Sequence, residues 1–301
     1  MPHSTIKSIA VIGLGSMGMG VAKSCVRAGL EVYGVDINDT ALHTLAQYGA
    51  KAVSHNANDF AQELDAILLL VINVNQVNSI LFDSGLAAKL KPNTIVMVSS
   101  TISAQDAKAI ETKLSAYGLL MLDAPVSGGA AKAEIGKITI MASGQPLAFS
   151  KLDPVFKAIA DKTYNIGCDI GLGSTVKIIH QLLAGVHIAA GAEAMALAAR
   201  ANIPLDLMYE VVTNAAGNSW MFENRMKHVV DGDYSPKSMV DIFVKDLNLV
   251  ADTAQALTFP LPLASTALNM FTCASNAGFG KEDDSAVIKI FNGIQLPGVE
   301  E

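Results

Sequence analysis

Through the first half of the chain, short and wholly apolar runs alternate with segments whose apolar residues recur every three or four positions. The runs lie at Ile9–Ile12, Val32–Val35, Ala66–Ile72, Thr94–Val98, Leu119–Leu122 and Ile138–Ala142. Continuous apolar runs of this length suit strands covered on both faces. Helical patterns fall between them, at Met17–Ala28, Thr40–Tyr48, Ala57–Glu63, Ala104–Ala116 and Pro146–Ile159. This alternation predicts an α/β unit built on a mostly parallel, doubly wound sheet, with any ligand beyond the carboxyl ends of the strands.

The second half reads differently. From Gly171 to Ala201 no proline interrupts a helical pattern, and Asn202-Ile-Pro204 stops it. Further helices are expected near Leu205–Asn214, Val240–Leu257, Leu263–Asn276 and Ser285–Phe291, with a frayed tail at Leu296–Glu301. No convincing strand follows Ile166. The expected division is residues 1–166 and an all-α unit at 167–301, joined by the long helix. That helix is apolar enough to invite a membrane reading. His180, Gln181, His187, Glu193 and Arg200 within it favour a buried helix of a soluble protein instead.

The first apolar run leads into Gly13-Leu14-Gly15-Ser16-Met17-Gly18 and then into a helix. In a dinucleotide-binding turn the first glycine permits the tight bend. The second lets backbone approach a pyrophosphate, and the third lets helix and strand pack closely. The second run ends in Asp36, placed to accept from a ribose 2′-hydroxyl, and Ile37 and Asn38 follow it with no arginine. A carboxylate there repels a 2′-phosphate, so NAD is expected over NADP. The first unit is therefore read as a Rossmann-type domain.

Composition narrows the class. Of 301 residues 51% are hydrophobic and 16% charged, with a formal net charge of −7. Such a chain favours neither nucleic acid nor an anionic membrane surface. The apolar surplus points to burial between subunits, as a homodimer or homotetramer. Cys25, Cys168 and Cys273 form no C-x-x-C pair, so buried reduced thiols and no metal site are expected, in a cytoplasmic protein. No signal peptide is read at the N-terminus.

Four more segments carry candidate chemistry. Asp123-Ala-Pro-Val-Ser127-Gly128-Gly129 follows a strand and offers a hydroxyl and open backbone N–H groups, which suit a carboxylate; a plain Pro-Gly turn is the other reading. Lys177, His180 and Gln181 share one face of the long helix. Lys177 there is a proton-transfer group or a snorkelling surface lysine, and His180 a ligand contact or a satisfied core histidine. Lys245-Asp246 reads by itself as a solvated pair, and Gly217-Asn218-Ser-Trp220 as a loop with a buried anchor.

Together, and in this order, these motifs resemble the β-hydroxyacid dehydrogenase family, over nearly the whole chain. The resemblance implies an NAD-dependent oxidoreductase acting on a small hydroxy acid. Lys177 would be the catalytic acid/base, with Ser127, Gly128 and Gly129 on the substrate carboxylate. Gly13 to Gly18, Asp36, Ile37, Asn38, Ile72, Asn73 and Thr101 would meet the cofactor, and Lys245 would close over it. Trp220 would pack near the site. The family usually carries Lys-x-x-Asn-Asn where this chain has Lys177-Ile-Ile-His180-Gln181. The His-Gln pair resembles a sugar-acid branch, implying a substrate with several hydroxyls, L-threonate foremost, met by His180, Gln181 and Asn218. Dehydrogenation of 3-hydroxyisobutyrate, or reduction of tartronate or succinic semialdehyde, is the near alternative. A non-catalytic NAD-binding protein is the alternative from another class.

Overall fold

The computed structural model describes residues 6–299. By internal packing the chain divides into two units, one ending at Lys177 and one starting at Ile178. The division falls inside the long helix, because the first turn of that helix is bound to the sheet of the first unit.

In that unit the strands are β1 (Ser8–Ile12), β2 (Glu31–Val35), β3 (Ala52–Ser54), β4 (Ala66–Leu69), β5 (Ile95–Val98), β6 (Leu120–Asp123), β7 (Val126–Ser127), β8 (Ile138–Gly144) and β9 (Ala160–Gly167). They form one sheet in the order β3-β2-β1-β4-β5-β6-β8-β7, with β9 parallel to β8. The pairs from β3 to β6 are parallel; β8 runs antiparallel to β6 and β7. Successive strands step outward from β1 to β3, and β4 then returns to the other side of β1. The crevice at this reversal, beyond the carboxyl ends of β1 and β4, is where doubly wound sheets bind ligands.

Alternate residues of each inner strand face different cores. Ile9, Val11, Ala66, Leu68, Ile95 and Met97 point to one face, where α1 (Gly18–Arg27), α2 (Asp39–Tyr48) and α7 (Pro146–Ile159) pack. Ala10, Ile12, Ile67, Leu69, Val96 and Val98 point to the other, covered by short helices α3 (Val74–Asn78) and α4 (Leu86–Lys89) and by α5 (Ala104–Ser115). This two-sided burial explains why the runs read as continuous apolar sequence. β4 ends sooner than its apolar run, since Ile72 leaves the sheet half-exposed and donates its N–H to Gln76 Oε1. The edge strand β9 escaped the sequence reading because its residues are largely polar and its pairing comes from β8. A further short helix, α6 (Gly129–Glu134), starts directly after Ser127-Gly128.

The helical unit contains most of α8 (Leu172–Arg200), then α9 (Leu205–Thr213), α10 (Trp220–Asp231), α11 (Val240–Ala256) and α12 (Pro262–Ala274). Ile188, Ala192, Met226, Val229, Leu247 and Phe271 lie in one core, and Phe243 stacks on Phe271 with centroids 5.1 Å apart. By length and composition α8 could cross a membrane, but half of its apolar stretch is buried within the protein.

Three expectations need correction. Trp220 is no buried anchor: Ser219 caps α10 through the Phe222 N–H, and Trp220, as its first residue, is exposed. Among the thiols only Cys25 is buried, where burial pushes it up to about 12; Cys168 and Cys273 are exposed. The tail is packed rather than frayed as far as it is described, with Leu296 against the helical core and Gly298 beside Gly232. Residues 300 and 301 lie outside the described residues.

Buried charge ties α10 to the last helical turn. Asp284 lies 2.6 Å from Arg225 Nε. Asp283 accepts from His228 Nδ1, from Ser285 and from the Lys237 N–H. Burial alone would raise the Asp283 carboxyl, but these donors outweigh it and bring it down to about 2. A depressed carboxyl stabilises the fold above the ordinary aspartate range and loses that contribution as pH falls towards its folded value. Asp283→Ala is expected to remove about 3 kcal/mol at neutral pH. It should also flatten the loss of stability that the wild type shows as pH falls from about 4 to about 2. Urea titrations followed by the fluorescence of Trp220, the sole tryptophan, measure both.

Candidate active site

At the end of β1 the glycines differ in what they permit. Gly13 has φ +92°, and a Cβ on it would lie 2.8 Å from the Leu70 carbonyl oxygen, so a side chain is excluded by conformation and by space. A Cβ on Gly18 would lie 1.7 Å from the Gly13 carbonyl oxygen. A Cβ on Gly15 would meet nothing within 4 Å, which leaves open space on that side of its backbone. Met17 gives α1 no side-chain cap and its first turn carries no acid, so the helix itself brings no anion to its positive end.

At the end of β2, Asp36 accepts from the Leu14 N–H at 2.6 Å and from the Asn38 N–H at 2.9 Å. The carboxylate is thereby fixed beside the glycine turn. Ile37 is 92% exposed, while Asn38 caps α2 through the Thr40 and Ala41 N–H groups. Beyond β4, Asn73 caps α3. Beyond β5, Ser99 and Ser100 are buried and their hydroxyls have no protein partner, with half-buried Thr101 next in line. An open glycine, a helix start with no capping side chain, an oriented acid and two orphaned hydroxyls along these strand ends suit a dinucleotide.

The end of β6 organises the rest of this unit's site. Asp123 is fully buried and accepts from the Gly171 N–H at 3.0 Å, the Ser174 N–H at 2.9 Å, Ser174 Oγ at 2.7 Å and Ser143 Oγ at 3.3 Å. Ser143 Oγ in turn accepts from the Gly173 N–H at 3.0 Å. A Cβ on Gly173 would lie 2.6 Å from the carbonyl oxygens of Asp123 and Met141, so the helix start is docked by backbone contact. Lys177 follows Ser174 by three residues and is 6% exposed, which rules out a snorkelling surface lysine. Ser127 is half-buried, and Gly128 and Gly129 have φ +132° and +73°.

A further contact joins the two glycine motifs. A Cβ on Gly20 would lie 2.6 Å from the Glu134 N, so α6 lies backbone to backbone on α1. Ser24 Oγ donates to the Ala133 carbonyl. The sequence reading missed this; the signal was the extra glycine two residues past Gly18.

In the helical unit, Gln181 Nε2 donates to Asp246 Oδ2 at 2.6 Å, and His180 Nδ1 lies 3.0 Å from Gln181 Oε1. Lys245 Nζ lies 2.5 Å from Asp246 Oδ1. Asp246 is buried, so this is no solvated pair. Asn218 Nδ2 faces Glu223 and the Thr213 carbonyl, and its Oδ1 is buried without a protein partner.

These features define an α/β dinucleotide-binding unit followed by a helical unit, with a buried lysine at the start of the connecting helix. Comparison with known proteins agrees. Residues 8–167 match the NAD-binding domain of 6-phosphogluconate dehydrogenase, and residues 171–291 the NAD-binding domain of NADP-dependent 3-hydroxyisobutyrate dehydrogenase. The chain belongs to the β-hydroxyacid dehydrogenase family. It is 72% identical to L-threonate dehydrogenase of Pectobacterium atrosepticum over 100% of this chain and 99% of that one. It is 69% identical to L-threonate dehydrogenase of Escherichia coli, over 97% of each chain. A crystal structure of 3-hydroxyisobutyrate dehydrogenase from Salmonella typhimurium, 65% identical, superposes with a TM-score of 0.92 over 95% of this chain and 100% of that one.

Gly18→Ala drives a methyl into the Gly13 carbonyl and must open the turn. NAD affinity is expected to fall by at least about tenfold, roughly the 1.4 kcal/mol of one displaced contact. Isothermal titration with NAD measures it, and far-UV circular dichroism shows whether the fold survives.

Proposed function

We propose that this protein oxidises L-threonate to 2-dehydro-L-erythronate with NAD. The buried Lys177, docked through the Asp123 carboxylate, is the observation that carries the reading. Identity to two L-threonate dehydrogenases supports the substrate.

Bound NAD supplies the acceptor for the hydride leaving the substrate carbinol carbon. The open space at Gly15 and the N-terminus of α1 would hold its pyrophosphate. Asp36 takes the adenosine ribose, with Ile37 and Asn38 at the same edge. Ile72, Asn73 and Thr101 approach from the ends of the next strands, and Lys245 closes the site. A carboxylate in the Asp36 position selects against a 2′-phosphate, so NAD is used rather than NADP.

Ser127 and the N–H groups of Gly128 and Gly129 anchor the substrate carboxylate. Lys177, as the amine, takes the hydroxyl proton as the carbonyl forms, and in the reverse direction its ammonium returns it. His180 and Gln181, on the next turn of the same helix, and Asn218 are assigned to further hydroxyls, with Trp220 near the site. Positioning and proton transfer supply the protein's share of the rate. 3-Hydroxyisobutyrate has a methyl branch where threonate has hydroxyls and offers less to His180 and Gln181.

We also assign the protein to the cytoplasm, where its exposed thiols stay reduced, and to a homodimer or homotetramer. Exposed Ile179, Leu183 and Leu197 along α8 support self-association. Light scattering is expected to give twice or four times the 31.5 kDa chain mass.

Lys177→Met is expected to lower kcat by about 10²–10⁴-fold with NAD affinity unchanged. A panel of four-carbon sugar acids and branched hydroxy acids, assayed for NADH, tests the substrate. Oxidation of 3-hydroxyisobutyrate with none of threonate would overturn it.

A further inference from the structure

Directly after β3, which pairs with β2, His55 bridges two acceptors. Its Nδ1 lies 3.0 Å from the Asp36 carbonyl oxygen and its Nε2 3.0 Å from Asp39 Oδ1. A carbonyl oxygen only accepts, and so does a carboxylate, so both ring nitrogens donate and the bridging ring is the imidazolium. His55 is thus a cation hydrogen-bonded to the main chain of Asp36, the acid fixed beside the glycine turn through the Leu14 and Asn38 N–H groups. Ile37 and Asn38, between the two acids, carry no charge. Asp59, a further acid near this strand end, accepts from Ser54 Oγ. The His55 and Asp39 side chains are 57% and 93% exposed, so hydrogen bonds rather than packing hold the ring on Asp39.

We propose that His55 and Asp39 form a second cofactor-selecting pair at the adenosine ribose. A ribose 2′-phosphate needs a cation to offset its charge, and the imidazolium on the Asp36 main chain is a cation at that edge. Asp39 is the positioning residue. It takes the Nε2–H that a phosphate oxygen would accept, and its carboxylate cancels the charge of the ring. The edge therefore repels a phosphate through Asp36 and withholds a cation from it through Asp39. A free 2′-hydroxyl needs no cation and loses nothing by this arrangement. The ligand class that fits is an adenosine nucleotide with an unmodified ribose. The inference rests on the reading of Asp36 as the acid on the adenosine ribose and is independent of the substrate.

ADP-ribose and its 2′-phosphate lack the nicotinamide and probe this edge alone. Isothermal titration with each is expected to favour the unphosphorylated form in the wild type. Asp39→Ala should narrow that preference about fivefold, the scale of one exposed ion pair. Most of this change should vanish in the double variant Asp39→Ala with His55→Gln, whose amide still donates to the Asp36 carbonyl but carries no charge. Across pH, the change in Asp39→Ala should follow the charged fraction of His55, read from its imidazole ¹H shifts. The kcat/KM ratio of NADP over NAD should move in parallel, through KM. A preference unmoved in Asp39→Ala, or narrowed as much in the double variant, overturns the inference. A preference that Asp36→Ala leaves unchanged overturns the ribose reading instead, so the two failures are distinguishable.

Discussion

Asp123 ends β6 without solvent exposure, and two backbone N–H groups and two hydroxyls converge on its carboxylate. Burial raises the Asp123 carboxyl above its ordinary range, and the donors from Ser174, Gly171 and Ser143 act the other way. The arrangement also serves the helix. The first N–H groups of an α-helix have no partner within it, and those at the start of α8 are buried against the sheet. A buried carboxylate short of donors and a buried helix end short of acceptors satisfy each other. The main chain after Asp123 leads in four residues to Ser127, and its side chain holds the turn that leads in three residues from Ser174 to Lys177. The proposed carboxylate anchor and the proposed base therefore hang from one residue.

A second constraint links cofactor helix to substrate loop. Gly20 lets α6 lie on α1, and α6 starts at Gly129, the last residue of the proposed carboxylate cradle. Ser24 Oγ on the Ala133 carbonyl and Lys23 beside Glu134 fasten the far end. The spacing between α1 and the loop at Gly128 and Gly129 is thus set by backbone contact. The glycines from Gly13 to Gly20 therefore do two things: the first three shape a turn for a dinucleotide, and the fourth sets the distance to the neighbouring loop.

Periodicity made the inner strands and the longer helices legible, because Ile9–Ile12 or Val240–Leu257 must face a core whatever surrounds them. Elements stabilised by their neighbours were not legible. β9 exists because β8 offers it an edge. α10 went unread, because Gly217-Asn218-Ser-Trp220 reads as a loop and the Ser219 cap that starts the helix drew no notice. For the site, the glycine turn, Asp36 and Lys177 could be singled out from spacing alone. Asp123 stood in view inside its motif, and Asp246 beside Lys245, yet neither gave a signal. Their roles lie in partners 51 and 65 residues away, Ser174 and Gln181. Long-range satisfaction of a buried acid has no local period.

The buried acids show how partner choice divides their tasks. Asp123 is met by neutral donors alone, so it fixes geometry without bringing a cation to the start of α8. Asp284 is met by Arg225 and joins helices of the core, where breaking the pair would leave a charge without compensation. Asp246 has one partner of each kind, the Lys245 ammonium on one oxygen and the Gln181 amide on the other. A carboxylate beside a cation accepts, and the amide offers it Nε2. A neutral carboxyl could donate, and the direction of the chain through Gln181 to His180 would no longer be determined. Lys245 thus fixes, through Asp246, which end of the Gln181 amide faces His180.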